Sequence, residues 1–307
     1  KVKNYFSSNF KLGVLGGGQL GRMLLAEAQK FDISTSILDS SAEAPCAQIC
    51  NEFHQGNLLD FETVYNFGKQ VDLLTIEIEN VNIDALDLLE REGLTICPTP
   101  KSIRIIQNKA TQKNFYKDNN VPTAPYSHYA YKEELKHSFQ NDIIELPFVW
   151  KAARFGYDGT GVKIVRTFED IENLPQGECI VEKLIPFKNE LAVIVARNNN
   201  GEITSYPVVE MEFHPTANQV EYVISPSSIS ERLKVQAQAL AEDVADAYQL
   251  CGILAVEMFL TKDGQVLINE IAPRPHNSGH QTIRGNESSQ YEQHLRAITG
   301  LPLGSTK

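Results

Sequence analysis

Apolar residues along the chain gather in short runs separated by polar and glycine-rich punctuation, a spacing that predicts alternating strands and helices. Residues 12–15 read as a short strand, the stretch through Lys30 as an amphipathic helix, and the run ending SILD at 36–39 as a second strand, a βαβ opening. VDLLTIEIE at 71–79 reads as a strand bearing two acids, and Pro98 and Pro100 mark a first boundary. A helix from Ser102 carries Arg104 and Lys109, and strands follow at 146–153, 162–165, 179–185 and 189–195. Between 228 and 250, Leu233, Leu240, Val244 and Tyr248 recur at helical spacing and predict a helix packed behind a sheet. No repeat or low-complexity segment interrupts the pattern.

The last two apolar runs, 252–260 and 266–271, flank an Asp263–Gly264 turn and predict a β-hairpin. With those two residues as the loop, Lys262 faces Gln265, and counting back along the ladder sets Glu257 opposite Glu270 on one face. Two carboxylates so placed among Val256, Met258, Ile268 and Ile271 repel each other and are costly to bury unless one is protonated or a cation lies between them. Carboxylate oxygens with the nearby Asn269 amide oxygen suit hard Mg2+ with phosphate ligands better than zinc. The plainer alternative is an exposed hairpin edge with solvated glutamates.

Downstream, APRPHNSGH at 272–280 packs a guanidinium, two imidazoles, an amide and a hydroxyl between prolines and a glycine. Such donors suit an anionic reactant beside the metal, and histidine can move protons near neutral pH. Earlier, RFGYDGTG at 154–161 lies between two strands, where its backbone amides can cover a polyphosphate or form a plain hairpin loop. The strand at 179–185 can present backbone groups to an adenine, and Glu190 can hold ribose hydroxyls; a solvated strand face is the alternative for Glu182 and Glu190. Gly16, Gly18 and Gly21 match a dinucleotide fingerprint with Asp39 near the ribose-binding distance, although the same glycines serve any tightly packed first turn.

Composition narrows the field. At 307 residues and 42% hydrophobic, the chain can bury two or three cores, and a formal net charge of −11 argues against a nucleic-acid partner, so an anionic substrate must be met by locally focused Arg, Lys and loop amides. Five cysteines without paired metal-ligand spacing predict reduced thiols and a cytoplasmic location. No membrane-length apolar run or export signal is expected.

The order lysine strand, glycine loop, IVEK segment and hairpin with paired glutamates resembles the ATP-grasp carboxylate–amine ligase superfamily. GGGQLGRM at 16–23, RIIQNK at 104–109, GYDG at 156–159, Asn269–Glu270 and the 272–280 loop resemble the N5-carboxyaminoimidazole ribonucleotide synthase family, over nearly the whole chain. The resemblance implies an α/β and α+β fold. A pre-ATP-grasp Rossmann-like domain at 1–100 is expected, then an ATP-grasp small (lid) subdomain at 101–185 and a large subdomain at 186–307. The resemblance further implies a C-terminal tail domain whose basic residues meet the nucleotide phosphate, expected to be largely missing from these 307 residues.

It implies a homodimer that joins bicarbonate to the amine of 5-aminoimidazole ribonucleotide with ATP and Mg2+ in purine synthesis. The reaction proceeds through carboxyphosphate, the carboxyl group passing directly or as carbon dioxide. By the same resemblance, ATP would meet Arg104, Lys151, the loop Gly156, Tyr157, Asp158, Gly159, Thr160, Gly161 and Val162, then Glu182, Lys183, Leu184, Ile185, Glu190, His214, Asn269 and Glu270. Glu257 and Glu270 would hold Mg2+. Arg274 would steady bicarbonate, His276 and Asn277 would orient the acceptor, and Tyr157 and Asp158 would close over it. Thr160 stands where the family has a basic residue. Sister readings are a formate-dependent glycinamide ribonucleotide transformylase or a biotin carboxylase; the reading from another class is a nicotinamide-dependent oxidoreductase built on the glycine triad.

Overall fold

The computed structural model describes residues 4–5, 7–155, 161–213 and 220–307. A first parallel sheet is built from β1 (Lys11–Leu15), β2 (Ser34–Asp39), β3 (Glu52–Gln55), β4 (Leu73–Ile76) and β5 (Thr95–Ile96), in the order β3-β2-β1-β4-β5. Its centre is apolar on both faces, as a strand covered by helices must be. Leu12, Val14, Leu73 and Ile37 pack beneath α1 (Gln19–Lys30). Leu15, Leu74 and Ile76 pack beneath α2 (Phe61–Gly68) and α3 (Ile83–Arg91). Asp60 and Asn82 cap those two helices by accepting from Thr63 and Ala85 backbone N–H groups.

Two departures from the expected elements matter for the site. The strand expected over 71–79 ends at Ile76, and Glu77 turns toward the glycine-rich loop after β1. The helix expected to carry both Arg104 and Lys109 is two helices, α4 (Pro100–Ile106) and α5 (Lys109–Asp118). Thr99 caps the first, with Pro100 at its opening position, and Asn108 caps the second by accepting from Ala110 and Thr111. Asn108 therefore ends one helical direction and starts another.

A smaller antiparallel sheet follows, in the order β6-β9-β7-β8: β6 (Tyr126–Tyr129), β7 (Phe148–Ala152), β8 (Val162–Val165) and β9 (Cys179–Lys183), with α6 (Lys132–Gln140) and α7 (Phe168–Glu172). The third sheet is antiparallel and orders β13-β12-β10-β14-β15, with β11 also on β10. Its strands are β10 (Phe187–Arg197), β11 (Ile203–Ser205), β12 (Val209–Phe213), β13 (Val220–Ile224), β14 (Gly252–Thr261) and β15 (Val266–Ala272). The amphipathic helix expected behind it is α8 (Glu231–Ala247), which buries Ala237, Ala241 and Val244 in one core with Val193, Leu254 and Val256 of the sheet.

After a short turn at Asn277–Gly279 and α9 (Thr282–Gly285), α10 (Gln290–Thr299) returns to the first sheet, where Tyr291, Leu295 and Ile298 complete the core under α1. His294, fully buried, joins the two large sheets: its Nδ1 accepts from Ile253 N–H at 3.1 Å, which leaves Nε2–H to donate to Thr75 Oγ1 at 2.8 Å. Burial holds it neutral, with its pKa pushed down to about 4. Among the described residues no helix is long and apolar enough to cross a membrane.

Candidate active site

Glu257 does face Glu270, by a different route from the one counted from sequence. The turn holds three residues: Leu260 pairs with Val266, Thr261 N–H donates to Gln265 O at 2.9 Å, and Gly264 takes φ +85°. A three-residue loop ending in a left-handed glycine is a standard hairpin closure. It shifts the register by one, and a bulge at Asn269, between the pairs Met258–Ile268 and Glu257–Glu270, shifts it back. The bulge also brings Asn269 and Glu270, neighbours in sequence, to line one cavity.

That cavity has a volume of about 900 Å³ and draws on the two antiparallel sheets and on Glu79 and Asn80 beyond β4. Val149 and Lys151 enter from one face of β7, Glu182 and Lys183 from β9, Leu184 and Ile185 from the link to β10, and Glu190 from β10. Lys151 donates to Asn269 Oδ1 at 3.0 Å and pairs with Glu182 Oε2 at 3.0 Å. Glu182 is 3% exposed, so the solvated-face alternative fails for it. Burial works against its charge, but Lys151 and Lys113 outweigh burial and hold its pKa below the usual carboxylate range.

The paired carboxylates behave differently from each other. Burial, then the charges of Glu270 and Glu190, push Glu257 up to about 8. Glu270 is also opposed by burial, yet Lys109, with Nζ 2.5 Å away, and Lys151 hold it down at about 2. Burial raises Glu190 to about 7. Three carboxyl groups thus face this space: Lys109 and Lys151 hold Glu270 ionised, while burial favours the protonated forms of Glu257 and Glu190. The exposed-edge alternative is excluded, because Glu257 keeps only 14% of its side-chain exposure. Oxygen donors with unmet negative charge fit a hard divalent cation such as Mg2+. Among the described residues no set of three or more His, Cys, Asp or Glu forms a cluster able to hold a metal by itself.

The 272–280 loop borders the same space with Arg274, His276 and Asn277. Arg274 Nε lies 2.9 Å from Glu79 Oε1. His276 does not meet the expectation of a group that titrates near neutrality: burial, then Arg274, depress its pKa to about 3. Its Nδ1 accepts from Ser278 N–H at 3.2 Å, so Nε2–H is the donor, 3.8 Å from Glu257. Gln290 fixes this turn by accepting from His276 N–H at 2.9 Å and donating to His276 O at 2.8 Å.

Of the residues expected to meet nucleotide, Arg104 is not brought here. It lies outside the lining and is held by Asp84, at 3.0 Å, and Asp87 on α3. Lys109 takes a place that no expectation assigned, and the signal for it was Asn108, a capping residue inside an apparently continuous helix. Gly161 closes the strand pair, its carbonyl accepting from Ala152 N–H at 2.8 Å, and Val162 lines the cavity. Gly156, Tyr157, Asp158, Gly159, Thr160 and His214 lie outside the described residues.

The glycine turn after β1 is filled from within. Glu77 accepts from Gly21 N–H at 3.4 Å, and a Cβ on Gly18 would stand 2.6 Å from its carboxylate. Asp39 accepts from Gly17 N–H at 2.7 Å. These carboxylates already occupy the Gly17 and Gly21 amides and carry negative charge where a dinucleotide pyrophosphate would lie, which argues against the nicotinamide reading.

Comparison with known proteins agrees with this geometry. The ATP-grasp domain family matches residues 114–291, and the ribonucleotide synthetase preATP-grasp domain family matches residues 10–107. The N5-carboxyaminoimidazole ribonucleotide synthase of Bacillus subtilis is 39% identical over 299 residues, covering 96% of this chain and 77% of that one. The chain belongs to the N5-carboxyaminoimidazole ribonucleotide synthase family. This family membership gives it a pre-ATP-grasp domain followed by an ATP-grasp domain and makes it an ATP-dependent ligase. An Aspergillus clavatus N5-carboxyaminoimidazole synthase, solved in complex with ADP and 5-aminoimidazole ribonucleotide, superimposes with a TM-score of 0.88 at 34% identity, covering 98% of this chain and 79% of that one. The chain spans about half the length of the phosphoribosylaminoimidazole carboxylases it also matches. That of Saccharomyces cerevisiae is 38% identical over 303 residues, covering 95% of this chain and 52% of its own.

Proposed function

We propose that the protein carboxylates 5-aminoimidazole ribonucleotide with bicarbonate, converting ATP to ADP and phosphate and yielding N5-carboxyaminoimidazole ribonucleotide. The observation that carries this reading is the convergence of Glu257 and Glu270 with Lys109, Lys151 and the Arg274–His276 loop on one cavity. A bicarbonate oxygen attacks the γ-phosphorus, ADP leaves, and carboxyphosphate results. The aminoimidazole amine then takes the carboxyl group, directly or as carbon dioxide, and loses a proton as phosphate departs. Little covalent work falls to the protein, so charge placement is its main task.

In this reading Lys109 and Lys151 bind phosphate oxygens, and the apolar walls at Val149, Leu184 and Phe259 receive the base. Glu257, Glu270 and Asn269 hold Mg2+, which neutralises phosphate charge when bound. Arg274 steadies bicarbonate and its phosphorylated form, and neutral His276 donates through Nε2–H, with Asn277 orienting the acceptor. Tyr157 and Asp158 are assigned to closure over the aminoimidazole. The division at 1–100, 101–185 and 186–307, a homodimer and a cytoplasmic location are parts of the same proposal.

The test is Mg2+-dependent ADP release with 5-aminoimidazole ribonucleotide and bicarbonate present, singly omitted, or replaced by formate or biotin. Release requiring both substrates is the expected result. Release only with formate or biotin moves the protein to a sister enzyme, and release indifferent to every acceptor overturns the assignment.

A further inference from the structure

Lys113 stands one turn beyond Lys109 on α5, is 2% exposed, and lies outside the lining of the cavity. Its Nζ is 2.7 Å from Glu182 Oε1 and donates to Thr123 Oγ1 at 2.5 Å, while the Thr123 hydroxyl donates to Ile268 O at 2.8 Å. The rings of Tyr116 and Tyr126 lie 6.0 and 5.9 Å away. The other oxygen of Glu182 belongs to Lys151, which also reaches Asn269. One carboxylate is therefore shared by two ammonium groups, only one of which faces the cavity.

A fully buried lysine is rare and is kept only when paired, because its desolvation is expensive. Lys151 alone would have neutralised Glu182, but the resulting pair would carry no net charge toward a ligand. Burial lowers the pKa of Lys113 and Glu182 opposes that fall; with Lys113 holding one oxygen in its charged form, the trio keeps one positive charge, and the ammonium group that faces the cavity is Lys151. Thr123 ties this arrangement to β15 one residue before Asn269, so the charge is fixed relative to the metal hairpin as well.

We propose that Lys113 is a positioning residue that takes up the charge of Glu182 from behind, so that Lys151 presents an undivided positive charge to the phosphates of the nucleotide. The inference rests on reading the cavity as the ATP site and extends it to a residue that never touches the ligand. It makes Glu182 a counter-ion whose influence on Lys151 depends on a second cation.

The experiment measures Mg·ADP binding by calorimetry, alongside kcat and KM for ATP, in the wild type, Lys113→Met, and Lys113→Met combined with Glu182→Gln. Loss of Lys113 should weaken ADP binding by at least about tenfold and raise the KM for ATP to match, with kcat changing by less than about threefold. Removing the Glu182 charge as well should make ADP bind at least about threefold more tightly than in Lys113→Met, a rescue that a merely structural lysine would not show. ADP binding unchanged in Lys113→Met, or a double variant as weak as the single one, overturns the proposal. If Lys113→Met does not fold, Glu182→Gln alone is the comparison: a double variant that binds ADP as tightly as Glu182→Gln supports the role, and one that binds at least about threefold more weakly in folded protein rejects it. A wild type that binds ADP yet turns over no 5-aminoimidazole ribonucleotide would sink the acceptor assignment and leave this inference standing.

Discussion

Two places in this molecule carry the marks of an anion or nucleotide site, and they have opposite electrostatic fates. At the glycine turn after β1, backbone amides that could cradle a phosphate are already taken by Glu77 and Asp39. Burial raises the pKa of Glu77, and Arg274 with the amides of Gly18 and Gly21 acts against that rise, so the local charge is met from inside the chain. In the cavity the reverse holds: among the described residues Glu257 of β14 and Glu190 of β10 have no lysine or arginine at ion-pair distance, and burial pushes them up to about 8 and about 7. The difference separates a charge that holds the fold together from one that is balanced only when something binds. A glycine fingerprint alone cannot make that distinction, whereas an unbalanced carboxylate pair can.

The comparison breaks most visibly if the hairpin carboxylates are neutralised. Glu257→Gln or Glu270→Gln should lower Mg2+-dependent ADP release by on the order of a hundredfold or more, measured at saturating ATP, while the protein stays folded. Removing Mg2+ by chelation should do the same to the wild type. An active Glu257→Gln variant would show that the pair is not the metal site. Next in size, Lys109→Ala should raise the KM for ATP about tenfold whereas Arg104→Ala should change it by less than about twofold, since Arg104 is half exposed and paired with surface aspartates. Equal effects would erase the distinction between the two ends of the α4–α5 break.

The glycine turn predicts the complementary result. Gly18→Ala should destabilise the fold by roughly 1 kcal/mol, since the Glu77 carboxylate must move off the turn amides to admit the methyl group, seen in chemical denaturation, with ADP affinity of the folded protein unchanged. The finest discrimination comes from pH. Glu257 and Glu190 have folded pKa values above their unfolded ones, so they are neutral in the fold while ionised in the unfolded chain, and stability falls as pH rises toward about 8 and about 7. His276 and His294 act in the opposite direction, but their gain is complete by about pH 6.5. Between pH 6.5 and 8 the ligand-free protein should therefore lose up to about 1.4 kcal/mol per pH unit for each glutamate still titrating, and Glu257→Gln should flatten that slope.

Much of this was legible in the chain. The βαβ opening, the buried lysine strand β7 and the amphipathic α8 all announce themselves by period, because burial of one face or two leaves a direct trace in residue order. The Glu257–Glu270 pairing was readable too, although two unread features cancelled: a three-residue turn and a bulge at Asn269. A bulge depends on what the bent strand must reach, which no local pattern records. Glu77 looked like a strand acid because its partners are amides 56 and more residues earlier. Arg104 and Lys109 seemed equivalent on one helix, and only the capping geometry of Asn108 sends them to opposite surroundings.

The return of α10 to the first sheet has a consequence for how the protein is made. Tyr291, Leu295 and Ile298 cover the same apolar face that Leu12, Val14 and Leu24 offer near the start of the chain. On a ribosome extending at about 5–20 residues per second, that face waits roughly ten to forty seconds after β5 emerges before its cover is synthesised. The nascent first domain is thus an unfinished layer until α10 emerges, a natural client for a holding chaperone, and α10 acts as the signal that this core can close.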